Sequence, residues 1–222
     1  MLGGNDSGSW IWWHWVATHP GEIETRLYQH IVLTLLAVGI GIIIAFPLGI
    51  AAHRWRRLYG PTLAVTSGLY TLPSIALFGL MIPIFGLTRT TAIVPLVLYT
   101  LLLLVRNVVT GLDGVPAEVL DAADGMGMNG WQRLFRVELP LALPLIIEGL
   151  KIATVINIGT ATIGSTVAAK GLGEVIIAGL INDNTAFILQ GGLIVGLMAV
   201  LIYDGMEVIE HSVTRKIGLQ PH

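Results

Sequence analysis

The chain has 222 residues, of which 54% are hydrophobic and 12% charged, with 27 glycines and a net charge of −2. An average soluble domain is about one quarter charged, so lipid is the expected solvent, and without a basic excess no nucleic-acid partner is expected. There is no cysteine, which removes disulfides, thiolate metal sites and thiol nucleophiles.

A bilayer core of about 30 Å takes about 20 apolar residues in a helix. Ahead of the first such stretch, residues 1–26 form an extracytoplasmic segment carrying Trp10, Trp12, Trp13 and Trp15 with no basic run before them. They read as an interfacial aromatic anchor rather than a cleaved leader. Residues 31–52 make the first span, uncharged throughout; the others are 62–87, 91–109, 141–167 and 187–209. These segments lack the short alternation of barrel strands, and backbone amides in lipid must be paired internally, so all five are helices. The expected fold is an all-α membrane protein of about five transmembrane helices, its membrane domain occupying 27–217 before a short tail at 218–222.

Basic residues orient the spans. Arg54, Arg56 and Arg57 follow the first, Arg133 and Arg136 lie between the third and fourth, and Arg215 and Lys216 follow the fifth. Placing those loops in the cytoplasm puts the N-terminus outside and the C-terminus inside. Arg26, Arg89 and Lys170 remain outside, while Arg106 and Lys151 sit near cytoplasmic span ends, where their stems can snorkel. Pro47, Pro73, Pro83, Pro95 and Pro144 each remove a helical hydrogen bond and tend to kink the axis. Small residues at Gly41, Ala45 and Gly49, at Thr160, Gly164 and Ala168, and at Gly192 and Gly196 let helix backbones approach closely. Between the last two spans, 171–184 reads equally as a re-entrant or a connecting helix.

Residues 111–140 are the one long polar insertion. Pro116 suits a helix start, and Glu118 and Asp121 complement its dipole. Val119, Ala122, Ala123 and Met126 fall on one apolar stripe. Gly125 and Gly127 stop this helix; Asn129 caps a second, with Gln132 at the capping-box position and Pro140 closing it. A short amphipathic helix set between spans either enters a partner's groove or packs back on its own bundle. The pattern alone leaves both readings open.

Asp121, Ala122 and Ala123, followed by Gly127, Val137, Leu139 and Pro140, resemble the EAA loop of ABC importer permeases at every spacing, with Asp for Glu and Val for Ile. Thr71, Leu72, Pro73, Ser74, Ile75, Ala76 and Leu77 are similar to a stretch of the osmoprotectant permeases. So are Asn157 to Thr162, which match a GTAT stretch, and Gly171, Leu172, Gly173 and Glu174, which match a GLGE turn. This resemblance runs from about residue 27 to the C-terminus. It implies a type I importer permease of the MetI-like fold in the bacterial inner membrane. Its solute would be glycine betaine, choline, carnitine or a similar quaternary ammonium compound, imported under osmotic stress by ATP-driven alternating access. It further implies a second copy or a related permease, a cytoplasmic ABC ATPase and an extracytoplasmic solute-binding protein. ATP and magnesium would sit on the ATPase, since no Walker A pattern occurs here; the chain itself would be no enzyme and hold neither cofactor nor metal. The implied ATPase-coupling residues are Glu118, Asp121, Ala122, Ala123, Met126, Gly127, Leu139 and Pro140, and Ala123→Arg is expected to break docking.

Ser74, Asn157, Thr160, Thr162 and Ser165 are candidates for a solute path, weighed against interhelical or backbone hydrogen bonding, the favoured reading in the fourth span. Glu148 and Lys151, three residues apart, read as a helix-surface ion pair of about 0.2–0.5 kcal/mol. A tryptophan cage holding a quaternary ammonium by cation–π attraction fits the N-terminal cluster less well than an aromatic belt. No histidine or acidic pair lies deep in a span, which disfavours an intramembrane hydrolase, and the scarcity of intramembrane charge disfavours a self-sufficient channel or secondary carrier. Within the class, an importer of amino acids or another small solute is the alternative.

Overall fold

The computed structural model describes residues 20–167 and 169–216; the predicted tryptophan anchor and the tail at 218–222 lie outside the described residues. The described elements are all helical: α1 (Pro20–Arg54), α2 (Arg56–Thr71), α3 (Ser74–Phe85), α4 (Arg89–Asp113), α5 (Ala117–Gly125), α6 (Gly130–Arg133), a π-wound turn (Leu134–Glu138), α7 (Leu139–Gly164), a 3₁₀ turn (Ser165–Val167), α8 (Gly173–Ile181) and α9 (Thr185–Lys216). Four stretches are long and apolar enough to cross a membrane, Gly21–Arg54, Arg89–Asp113, Gly130–Val167 and Thr185–Arg215.

The helices outrun the predicted spans because hydropathy reports only the part in lipid. α1 has 35 residues, with Glu22 in its first turn and His53 and Arg54 in its last, each complementing the macrodipole. At 1.5 Å per residue it is about 52 Å long and extends beyond the hydrocarbon at its ends.

The predicted second span is broken. α2 and α3 meet at 97° across Leu72 and Pro73. Pro73 has no N–H and drives its predecessor out of the helical region, with Leu72 at ψ 135. The released Leu72 carbonyl is taken up by the phenol of Tyr99 on α4, which donates to it at 2.5 Å, and Tyr99 is packed edge-on against Tyr70. Pro47, Pro83, Pro95 and Pro144 are carried inside their helices.

Pro140 does not close the helix begun at Asn129, contrary to expectation. Residues 134–138 widen into π winding, where the Leu139 N–H reaches back to the Leu134 carbonyl, and the ladder absorbs the proline's missing donor there. The helix then continues through α7.

α4 is the central post. α1 packs alongside it in parallel, with Gly41 against Thr100 and Gly49 against Val108, and α7 packs antiparallel, with Gly149 against Asn107 and Gly164 near Ala92. Phe78 of α3, Leu96 and Val105 of α4, and Ala153 and Ala161 of α7 are fully enclosed in the resulting core. At the end opposite the α5 loop, the chain reverses through Lys170 and Gly171, both at positive φ, and Gly171 sits against His30 of α1. α8 has nine residues, about 14 Å, and connects α7 to α9. Arg26 of α1 is ion-paired to Glu174 at its start.

Lys151 is not a snorkelling surface lysine. Its side chain is 5% exposed and bridges Glu148 at 2.5 Å and Glu210 of α9 at 2.6 Å, with its ammonium 4.9 Å from the Tyr203 ring centroid. The Glu148 pair is therefore half of a clamp joining α7 to α9.

A Cβ at Gly49 would meet Val108 Cγ1 at 2.6 Å and Cβ at 2.7 Å, whereas Gly39 on the same helix has nothing within 4 Å. Gly49→Ala is expected to cost about 1–3 kcal/mol by overpacking and to lower the thermal midpoint of the detergent-purified chain, with Gly39→Ala leaving it unchanged or raised.

Candidate functional site

The α5 loop is built from local rules. α4 ends as the Gly114 N–H bonds to the Thr110 carbonyl at 3.0 Å, and Pro116, extended at ψ 138, launches α5 with Glu118 in its first turn. The helix stops in a Schellman arrangement. Gly127 at φ +75 bonds back to Asp124 at 2.9 Å, and Met128 to Ala123 at 3.2 Å. Nothing lies within 4 Å of a Cβ at Gly127, so glycine is needed there for backbone conformation and not for space. Asn129 then accepts from the Trp131 and Gln132 N–H groups at 3.1 and 2.9 Å, while Gln132 Oε1 accepts from the Asn129 N–H at 2.9 Å. The predicted capping box is complete.

The predicted stripe on α5 divides between two faces. Ala123 is 1% exposed, packed into the protein, whereas Met126 is 69% and Val119 36% exposed; Glu118, Asp121 and Ala122 are also exposed. One face seats the helix on its own chain and the other is free. Ala123→Arg would therefore act through the seating of the helix rather than through its free face. Leu139 and Pro140 are half-buried in the first turn of α7, where Leu139 packs on a cluster that includes Val108, Leu112 and Leu134.

Behind α5 lies a chain of charges that sequence reasoning missed. Arg133 donates through a terminal nitrogen to Asp124 Oδ2 at 2.7 Å and through Nε to Glu138 Oε1 at 2.8 Å. Glu138 Oε2 faces His53 Nε2 at 3.3 Å, His53 Nδ1 faces Asp113 Oδ1 at 2.7 Å, and Asp113 Oδ2 accepts from Arg56 at 2.7 Å. The Glu138 side chain is 5% exposed, against 31% for Asp113 and 52% for Asp124. Ile50, His53, Arg54, Gly130, Arg133, Leu134 and Glu138 line a cleft of about 190 Å³ at this end of the bundle. The one available signal was an acidic residue between Val137 and Leu139 in an otherwise basic, apolar stretch. Among the described residues no group of histidine and carboxylate side chains is arranged to hold a metal ion.

The candidate path residues are dispersed. Asn157 is buried and donates to Thr100 Oγ1 across the α4–α7 contact. Thr160 and Thr162 bond back to the carbonyls of Ile156 and Gly159 at 2.8 and 2.6 Å, and Ser165 donates to the Lys170 carbonyl at 3.4 Å. Ser74 opens α3 beyond the break. Only Asn157 and Thr100 form a buried side-chain pair among these groups.

Residues 37–216 match the family described as binding-protein-dependent transport system inner membrane component. The chain is 37% identical over 203 residues to the glycine betaine/carnitine/choline transport system permease protein OpuCB of Bacillus subtilis (strain 168), covering 91% of this chain and 93% of that one. It is 40% identical over 194 residues to the osmoprotectant import permease protein OsmW of Salmonella typhimurium, covering 85% and 90%. Among solved structures, an inward-facing MetNI methionine ABC transporter chain superposes with a TM-score of 0.76 at 24% identity, covering 88% of this chain and 99% of that one.

Asn129→Ala removes the acceptor of two first-turn N–H groups and is expected to cost about 1 kcal/mol. Hydrogen exchange at the amides of Trp131 and Gln132 should quicken about fivefold, with exchange in the middle of α4 unaltered.

Proposed function

The chain belongs to the binding-protein-dependent transport system inner membrane component family, and from that membership we propose that it is the membrane-spanning permease of an ABC importer for a compatible solute such as glycine betaine, carnitine or choline. The near full-length likeness to osmoprotectant permeases carries this reading. The solved methionine importer, at 24% identity, speaks for the shared fold and leaves the cargo to the closer relatives.

In this reading the α5 end faces the cytoplasm, the N-terminus lies outside and the C-terminus inside. A separate ATPase binds ATP and magnesium and meets the free face of α5 at Glu118, Asp121, Ala122 and Met126, while Ala123, Gly127, Leu139 and Pro140 hold that helix in place. Two permeases, copies of this chain or a related pair, enclose the path, and a binding protein delivers solute from the outer side. Helices packed through glycine contacts, with a break at Leu72 and Pro73, suit rigid-body rocking between inward and outward states. Ser74, Asn157, Thr160, Thr162 and Ser165 remain the proposed polar lining, a weak one suited to solute that must be let go.

Two measurements test this. Proteoliposomes holding the permease with its ATPase and binding protein should take up radiolabelled glycine betaine only with ATP inside, competed by choline and carnitine and not by methionine or histidine; the reverse competition would falsify the solute class. Met126→Asp or Ala122→Arg, both on the exposed face, should lower ATPase co-purification at least tenfold with the permease still folded. Wild-type yields of the ATPase from both variants would remove α5 from the docking surface.

A further inference from the structure

We propose that Glu138 is the positioning residue of an ionic joint that makes α5 move as one body with the membrane helices. The proposal rests on the reading that an ATPase bears on α5. Nine residues are too few for a helix to hold its own place, and α5 is tethered at both ends through glycines, Gly114 before it and Gly127, at φ +75, after it. A push on the free face would be absorbed at those two points unless something ties the helix sideways.

The tie is the charge chain. Arg133 grips Asp124 in the last turn of α5 with one nitrogen and Glu138 with another. Glu138 passes the link to His53 at the end of α1, His53 to Asp113 at the end of α4, and Asp113 to Arg56 at the start of α2. Both oxygens of Glu138 and of Asp113 are engaged, so α1, α2, α4 and the root of α7 converge on one unbroken path. Its members are unequal. Asp124 and Arg56, with side chains 52% and 65% exposed, are solvated and individually weak. Glu138, 5% exposed, is the buried one, and its loss takes a partner from both Arg133 and His53 at once. It also closes the π-wound turn, a winding rare in helices, which places the joint where the loop becomes a membrane helix.

The test compares wild type, Glu138→Gln and Asp124→Asn in the complex with ATPase and binding protein. Asp124→Asn cuts only the exposed link and guards against misfolding of the buried variant. Both variants are expected to assemble and hydrolyse ATP, with Glu138→Gln delivering at least fivefold less solute per ATP and Asp124→Asn showing a smaller loss in the same direction. In the detergent-purified complex, amide exchange across 117–125 should quicken at least tenfold, with 95–108 unchanged. A merely structural role would slow uptake only in proportion to the folded protein recovered. Wild-type solute delivery per ATP in both variants, or unaltered exchange across 117–125, overturns the joint. Absence of ATP-dependent uptake by the wild-type complex would instead defeat the transport reading, and the exchange comparison would then decide the joint alone.

Discussion

Inside a bilayer no water stands ready to accept a stray hydrogen bond, so each polar group that enters must bring or find its partner within the protein. At the α2–α3 break Tyr99 supplies a phenol to the Leu72 carbonyl, which lies outside both helices. The hydroxyls of Thr154, Thr160 and Thr162 turn back onto their own helix, and Asn157 reaches across to Thr100. The ion pairs follow the same rule: Arg26 with Glu174 at one end of the bundle, the Arg133 to Arg56 chain at the other, and Lys151 held by Glu148 and Glu210 between α7 and α9. The constraint relaxes at the margin where α5 leaves the bundle with one face buried and one bare.

Packing answers to a second requirement, close approach without a hydrophobic drive between helices. Gly41, Gly49, Gly149 and Gly164 lie on the contacts that α1 and α7 make with α4, so the post of the bundle is clasped at backbone distance from both sides. The close approach leaves α1, α4 and α7 little room to slide past one another. The one sharp bend in this packing is at Leu72–Pro73, between α2 and α3.

Local grammar was legible and tertiary choices were not. Hydropathy placed all five apolar segments because lipid imposes it residue by residue, yet it stopped short of the helix ends, which run on into water where apolarity is no longer required. The capping box at Asn129 and Gln132 and the stop at Gly127 were readable because their partners lie within five residues. Five prolines looked alike in sequence, and only the one within reach of Tyr99 opens a right-angled turn. The face of α5 that carries Ala123 could not be told from the one that carries Met126, since both fall on the same stripe until a neighbour covers one of them. The ionic chain escaped notice for the same reason: His53 meets a partner 60 positions away, and no periodicity announces such a meeting. The family was legible because motif spacing in the loop preserves a shape, not a pattern of hydrophobicity.

The lysine lodged between α7 and α9 constrains how this protein can change over generations. Glu148 can drift to a neutral residue and leave Lys151 balanced by Glu210, whereas losing the lysine first would strand two like charges in a crowded seam. Replacing the base alone is therefore the costlier single change at this seam, and a neutral residue at 148 the milder one.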